Sequence, residues 1–160
     1  MNQAVRQMPE PGGTDGLAGG VSIAAVEAYF DEALPLYRLL GLRLTALAPG
    51  RAEVRLQPTP QVVRPGGGVA GPVMFAMVDV GLYAAIFTLR GILPMAVTSD
   101  LGMHFLRAAR SPEILCLTEI TKAGRRLAYA DARLLDRDGR LVARASGSYA
   151  LPTEGGTAAP

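Results

Sequence analysis

Apolar positions recur along the chain with two different periods, and the change of period divides it into elements. Val26, Tyr29, Phe30, Ala33 and Leu34 are spaced as one face of a helix. Ser22 stands where an N-cap belongs, Glu27 follows within the first turns, and Pro35 closes the run. The period then drops to two. Leu42–Leu47 and Arg51–Gln57 alternate apolar and polar residues, as in Val54-Arg55-Leu56-Gln57, around an Ala48-Pro49-Gly50 turn, which predicts a hairpin. A Pro/Gly-rich loop, Pro58–Gly68, leads into the most apolar stretch of the chain, Val69–Leu89. Pro72 suits the first turn of a helix, where no N–H is required, and Arg90-Gly91 suits its end. Four strand-like runs follow, at about Met95–Leu106, Ile114–Lys122, Arg125–Leu135 and Arg140–Leu151. Ala123-Gly124 and Asp136-Arg137-Asp138-Gly139 supply the turns of two further hairpins.

The order is helix, two strands, long helix, four strands. Tight turns between consecutive strands make the sheet largely antiparallel, so the fold class is α+β with one central helix. Ala128, Ala130 and Ala132, then Ala143, Ala145 and Gly147, put small residues on one face of the last two strands. Such a face lets a curved sheet approach a bulky object, and the 71–90 helix is that object. Val73, Met74, Phe75, Met77, Val78, Leu82, Tyr83, Ile86 and Phe87 make it apolar nearly all round, as expected of a helix enclosed by a sheet.

With 160 residues, 49% hydrophobic and 19% charged, the chain reads as one globular domain over 21–151. Residues 1–20 read as a disordered lead and 152–160 as a flexible tail. The lead lacks a basic start followed by an apolar run, so it does not read as a signal peptide. Val69–Leu89 has the length of a membrane span, but Asp79 at its centre and Gly71, Pro72 and Gly81 within it favour a helix wrapped by protein. A net charge of +2 does not point to nucleic acid, and one cysteine, Cys116, excludes an internal disulfide framework and fits a reducing, cytoplasmic setting.

Candidate chemistry starts from Asp79, the one charged residue in the apolar stretch. A carboxylate there carries a raised pKa or has a dedicated partner, and both situations cluster at functional sites. The structural alternative is a carboxylate merely paired with an arginine or capped by hydroxyls. Gly66-Gly67-Gly68-Val69-Ala70-Gly71 matches a dinucleotide-binding pattern, but Pro65 interrupts any preceding strand and hairpins follow, so a loop bordering a site is the better reading. His104, the single histidine, has no G-x-S-x-G elbow to serve and cannot form a metal cluster alone. Cys116, among Ile114, Leu115 and Leu117, reads as a buried structural thiol. Asp100 and Asp131 read as pairing or solvated strand residues. Arg107, Arg110, Lys122, Arg125 and Arg126 fall at strand ends and turns, either as a solvated rim or as a phosphate cradle.

A sheet wrapped on a helix, the Gly71-x7-Asp79 spacing and the strand Ala96-Val-Thr-Ser-Asp-Leu-Gly-Met-His-Phe-Leu-Arg107 resemble the hotdog-fold thioesterases, and among them the phenylacetate-type acyl-CoA thioesterases. The resemblance covers about Val21–Leu151. It implies a sheet of about six strands around the long helix and hydrolysis of an aryl or medium- to long-chain acyl-CoA. Coenzyme A enters as part of the substrate, with no resident cofactor. By resemblance Gly71 gives a backbone N–H to the thioester carbonyl, and Asp79 activates water or attacks directly. Both roles make physical sense, because helix N-terminal N–H groups are unpaired and carry positive partial charge. Arg64, Gly68, Pro72, Thr98, Ser99, Arg107, Arg125 and Arg126 are the substrate-binding candidates. The family usually reads His-Gly-Gly at the helix start with an Asn upstream; here the positions read Ala70-Gly71-Pro72 and Arg64. Eight residues of helix span about 12 Å, so Gly71 and Asp79 of one chain are poorly placed to bracket one carbonyl. A site using both combines two subunits, which implies at least a symmetric dimer, and the resemblance implies a dimer or tetramer too. The competing readings are a non-catalytic acyl-CoA or lipid-binding protein and, further back, a dehydratase or hydratase, which would need a histidine beside the acid.

Overall fold

In the computed structural model, which describes residues 20–152, two helices precede the first strand. Helix α1 is Ile23–Ala33, and the Ser22 hydroxyl caps it by accepting the Ala25 N–H at 3.1 Å. Pro35 does more than end α1. It starts a second short helix, α2 (Pro35–Leu39), because its fixed φ suits a first helical position. Tyr37 from α2 is fully buried; its hydroxyl donates to Glu27 Oε1 at 2.8 Å and accepts the Leu44 N–H at 2.7 Å, fastening both helices to the first strand.

The sheet contains β1 (Leu42–Ala48), β2 (Arg51–Leu56), β3 (Val97–Phe105), β4 (Ile114–Ala123), β5 (Leu127–Asp136) and β6 (Leu141–Ala150), all paired antiparallel in the order β1-β2-β4-β5-β6-β3. The three expected hairpins form at Gly50, Gly124 and Gly139. In the last, the Asp136 carboxylate accepts the N–H groups of Asp138 and Arg140, and Gly139 takes φ 75°. Strand β3 does not pair with its successor; it crosses the sheet to β6 and is an edge strand.

Helix α3 (Gly71–Arg90) lies against the concave face. Ala128, Ala130 and Ala132 of β5 and Ala143, Ala145 and Gly147 of β6 are buried on that face, as the small-residue pattern predicted. The helix is not covered all round, however. Pro72, Phe75, Ala76, Asp79 and Tyr83 form a stripe at helical spacing that is exposed or half-buried, because the sheet reaches only the opposite side. The helix has the length and apolarity of a membrane span, but two thirds of it is packed within this domain. The predicted lead and tail lie outside the described residues, apart from Gly20 and Pro152.

Candidate active site

Helix α3 begins where the loop before it is strapped to its neighbours. The Ala70 N–H donates to the Val62 carbonyl at 2.8 Å and the Val69 N–H to the Ala109 carbonyl at 2.9 Å. Pro72 has no N–H, and the N–H groups of Val73 and Met74 both turn back to the Ala70 carbonyl. Among the described residues the Gly71 N–H has no partner, so it is the free donor of the first turn. A cleft of about 490 Å³ opens in front of it, lined by Arg64, Gly68, Gly71, Met74, Phe105 and Arg107 among others. The Phe105 ring stands 3.3 Å from where a Gly71 side chain would begin. The Gly-rich segment is a turn in this wall, with the Gly67 N–H on the Arg64 carbonyl and Arg110 Nε on the Gly66 carbonyl.

Two turns into α3, Asp79 is half-buried and has two hydroxyl partners rather than a cation. Thr98 Oγ1 and Tyr149 Oη each donate to Asp79 Oδ1 at 2.6 Å, and the Tyr149 oxygen also lies 3.0 Å from the Asp79 carbonyl. The other oxygen, Oδ2, has no hydrogen bond among the described residues. Asp79 is only half-buried, and this unpaired oxygen is not sealed from solvent. The capping expected of a purely structural carboxylate is met on one oxygen and withheld from the other. Burial first, then the Asp79 charge, pushes the Tyr149 phenol well above its ordinary value, so it remains a donor. Burial raises Tyr83 likewise, helped by its hydrogen bond with Tyr29.

The structure therefore sorts the sequence candidates. Arg64, Gly68, Gly71 and Arg107 meet in the cleft, and Pro72 is exposed beside it. Thr98 joins Asp79, but Ser99 does not: it is the extra residue of a β-bulge and bonds to Ser148 instead. Arg125 and Arg126 sit in the β4–β5 turn at the far end of α3, where Arg90 reaches the Gly124 carbonyl, so they do not join a phosphate cradle with Arg107 in this chain. His104 is exposed, opposite Arg144, and Asp131 accepts the Thr121 hydroxyl. Cys116 is buried, and burial pushes its thiol far up and makes it inert. Sequence reasoning passed over Tyr149 and Phe105. The signal for Tyr149 was its phase, since it shares the inward face of β6 with Ala143, Ala145 and Gly147.

An antiparallel sheet half-wrapped on one long helix, with a free helix N-terminus and a carboxylate two turns on, defines a hotdog-fold protein. The family model described as the thioesterase superfamily matches residues 66–143, which takes in Gly71, Asp79 and Thr98. A Pseudomonas aeruginosa protein named "Putative esterase" is 42% identical over 89 residues, covering 54% of this chain and 65% of that protein. A thioesterase family protein from Silicibacter pomeroyi has the same fold at a TM-score of 0.71 and 25% identity, over 78% of this chain and 93% of that one. The PaaI protein of the phenylacetic acid degradation operon of E. coli matches in fold, with a TM-score of 0.71 at 19% identity, over 85% of this chain and 99% of its own. The chain has the hotdog fold, and its residues 66–143 are similar to the thioesterase superfamily.

Proposed function

We propose that the protein is an acyl-CoA thioesterase in which Asp79 drives water onto, or itself attacks, a thioester whose carbonyl oxygen is held by the Gly71 N–H. The observation that carries this reading is the pairing of a half-capped carboxylate with a free helix N-terminal donor on one helix. Arg64 and Arg107 suit the phosphates of coenzyme A, and the apolar stripe of Phe75, Ala76 and Tyr83 suits an aryl or a medium- to long-chain acyl group.

The same reading makes the active unit a homodimer joined through β3. That strand has one neighbour, and much of its length is exposed. At one end Thr98 touches Asp79; at the other Phe105 stands against Gly71. These residues lie seven positions apart, about 23 Å along a strand. An antiparallel pairing of two copies of β3, centred between Leu101 and Gly102, would set Thr98 against the partner's Phe105. Asp79 would then approach the partner's Gly71, giving the two-subunit site that helix length requires. A tetramer would pack two such dimers.

The test is thiol release from short, aromatic, medium and long acyl-CoAs, with wild type and Asp79→Asn compared in parallel. Turnover abolished by the substitution supports the thioesterase. Absence of turnover with saturable acyl-CoA binding favours a binding protein, a reading that Ala70 and Arg64 in place of the family's His and Asn also favour.

A further inference from the structure

Resting on the thioesterase reading, we infer that Tyr149 is a positioning residue for Asp79, occupying Oδ1 so that Oδ2 is the oxygen presented to water or to the thioester. The bond is short, at 2.6 Å, and an O–H donor on a carboxylate is among the stronger hydrogen bonds. Thr98 donates to the same oxygen from the exposed edge strand, and its hydroxyl also lies in hydrogen-bonding reach of the Tyr149 oxygen.

Tyr149 differs in being rigidly held. It is buried to all but 3% of its surface, and its ring stacks on Tyr83 at 5.6 Å and 19°. Tyr83 is fixed in turn, its hydroxyl donating to the Leu93 carbonyl at 2.9 Å and its ring packed on Phe87 at 4.3 Å. The phenol thus aims one proton from a fixed origin. A carboxylate's terminal torsion is broad, so without such a donor the plane of the carboxylate is free to rotate and neither oxygen is held toward the substrate. With it, one oxygen is engaged by two hydroxyls and the other is left unpaired. Buried behind the carboxylate, Tyr149 acts on the reaction through Asp79. Its part is orientation, which a small displacement is enough to spoil.

The test measures kcat and KM for thioester hydrolysis in Tyr149→Phe, Thr98→Val and the same changes on Asp79→Asn, with thermal unfolding alongside. Expected is a fall in kcat of about tenfold or more for Tyr149→Phe, with KM held within about twofold and the folded state intact. On the residual rate that Asp79→Asn shows at high enzyme concentration the same change should cost nothing further. Unchanged kcat in Tyr149→Phe overturns the inference and leaves the thioesterase standing, provided Asp79→Asn has lost most of its turnover. An equal fractional loss on both backgrounds also overturns it, because Tyr149 would then act independently of Asp79. If Tyr149→Phe does not fold, Thr98→Val decides: a loss of only a few-fold supports Tyr149 as the main support, whereas a loss as complete as that of Asp79→Asn assigns the role to Thr98. A wild type inert toward every thioester overturns both readings.

Discussion

Thr118 and Gly81 touch more closely than any other side chain at that point of α3 would permit. The Thr118 hydroxyl lies 3.0 Å from the Gly81 carbonyl and 3.0 Å from the Ala52 carbonyl, and its methyl stands 2.6 Å from where a Cβ on Gly81 would sit. Here helix and sheet meet two residues beyond Asp79, so this contact sets the height of the carboxylate above the strands. Overpacking such a contact costs about 1–3 kcal/mol. Gly81→Ala should lower stability by that amount in urea unfolding. Adding Thr118→Ser, which removes the methyl and keeps the hydroxyl, should recover part of the loss; a double variant as unstable as the sum of its parts would refute the contact as the cause.

Gly71 is under a lighter constraint. A Cβ there would meet the Phe105 ring at 3.3 Å, and that ring is exposed and able to yield. Gly71→Ala is expected to fold with an unchanged melting temperature and to lose kcat by at least about tenfold, since the new methyl enters the cleft beside the donor. Wild-type turnover in this variant would separate Gly71 from the reaction.

Stability should fall on the alkaline side. Burial raises the Cys116 thiol above its ordinary 9.0 and the phenols of Tyr37, Tyr83 and Tyr149 above their ordinary 10.0. Between the ordinary and the raised values the unfolded chain has released these protons while the folded chain keeps them. The unfolded state is therefore favoured progressively as pH climbs. Urea midpoints followed from pH 7 to pH 11 should be unaffected by these four groups to about pH 9 and decline beyond it. A midpoint constant to pH 11 would contradict their burial.

The Ser22 cap can be tested alone. Its hydroxyl accepts the Ala25 N–H, and Ser22→Ala should cost about 1 kcal/mol. Because α1 carries Tyr29 and Phe30 into the aromatic cluster with Tyr83 and Phe87, near-ultraviolet circular dichroism should report the same loosening.

The local pattern was readable because hydrophobic period, caps and turn residues all agreed. Asp136 and Gly139 named their hairpin, and Gly71 and Arg90 bounded α3. Beyond the short helix at Pro35, three things were hidden. The partner of β3 was one, since β6 follows it only after two further strands and no local signal encodes that pairing. The bulge at Ser99 was another: strict alternation would put Thr98 on the same face as His104, and the inserted residue sends Thr98 inward to Asp79 instead. The uncovered stripe of α3 was the third, because an apolar residue such as Phe75 looks the same in sequence whether a sheet or nothing covers it. Asp79 stood out from composition as the lone charge of its stretch, whereas Tyr149, its hydrogen-bond partner 70 residues away, was legible only as an inward-facing residue of β6.

Pro72 gives the start of α3 an unusual economy. Most helix termini offer several converging N–H groups and attract sulfate or phosphate accordingly. Here proline removes one and the Ala70 carbonyl absorbs the next two, so a single directed donor is left at Gly71. A polyanion gains little from one hydrogen bond, while a carbonyl oxygen needs no more than that. Inorganic phosphate should therefore be a poor competitor at this terminus, and whatever hold the protein has on phosphate groups must come from its arginines.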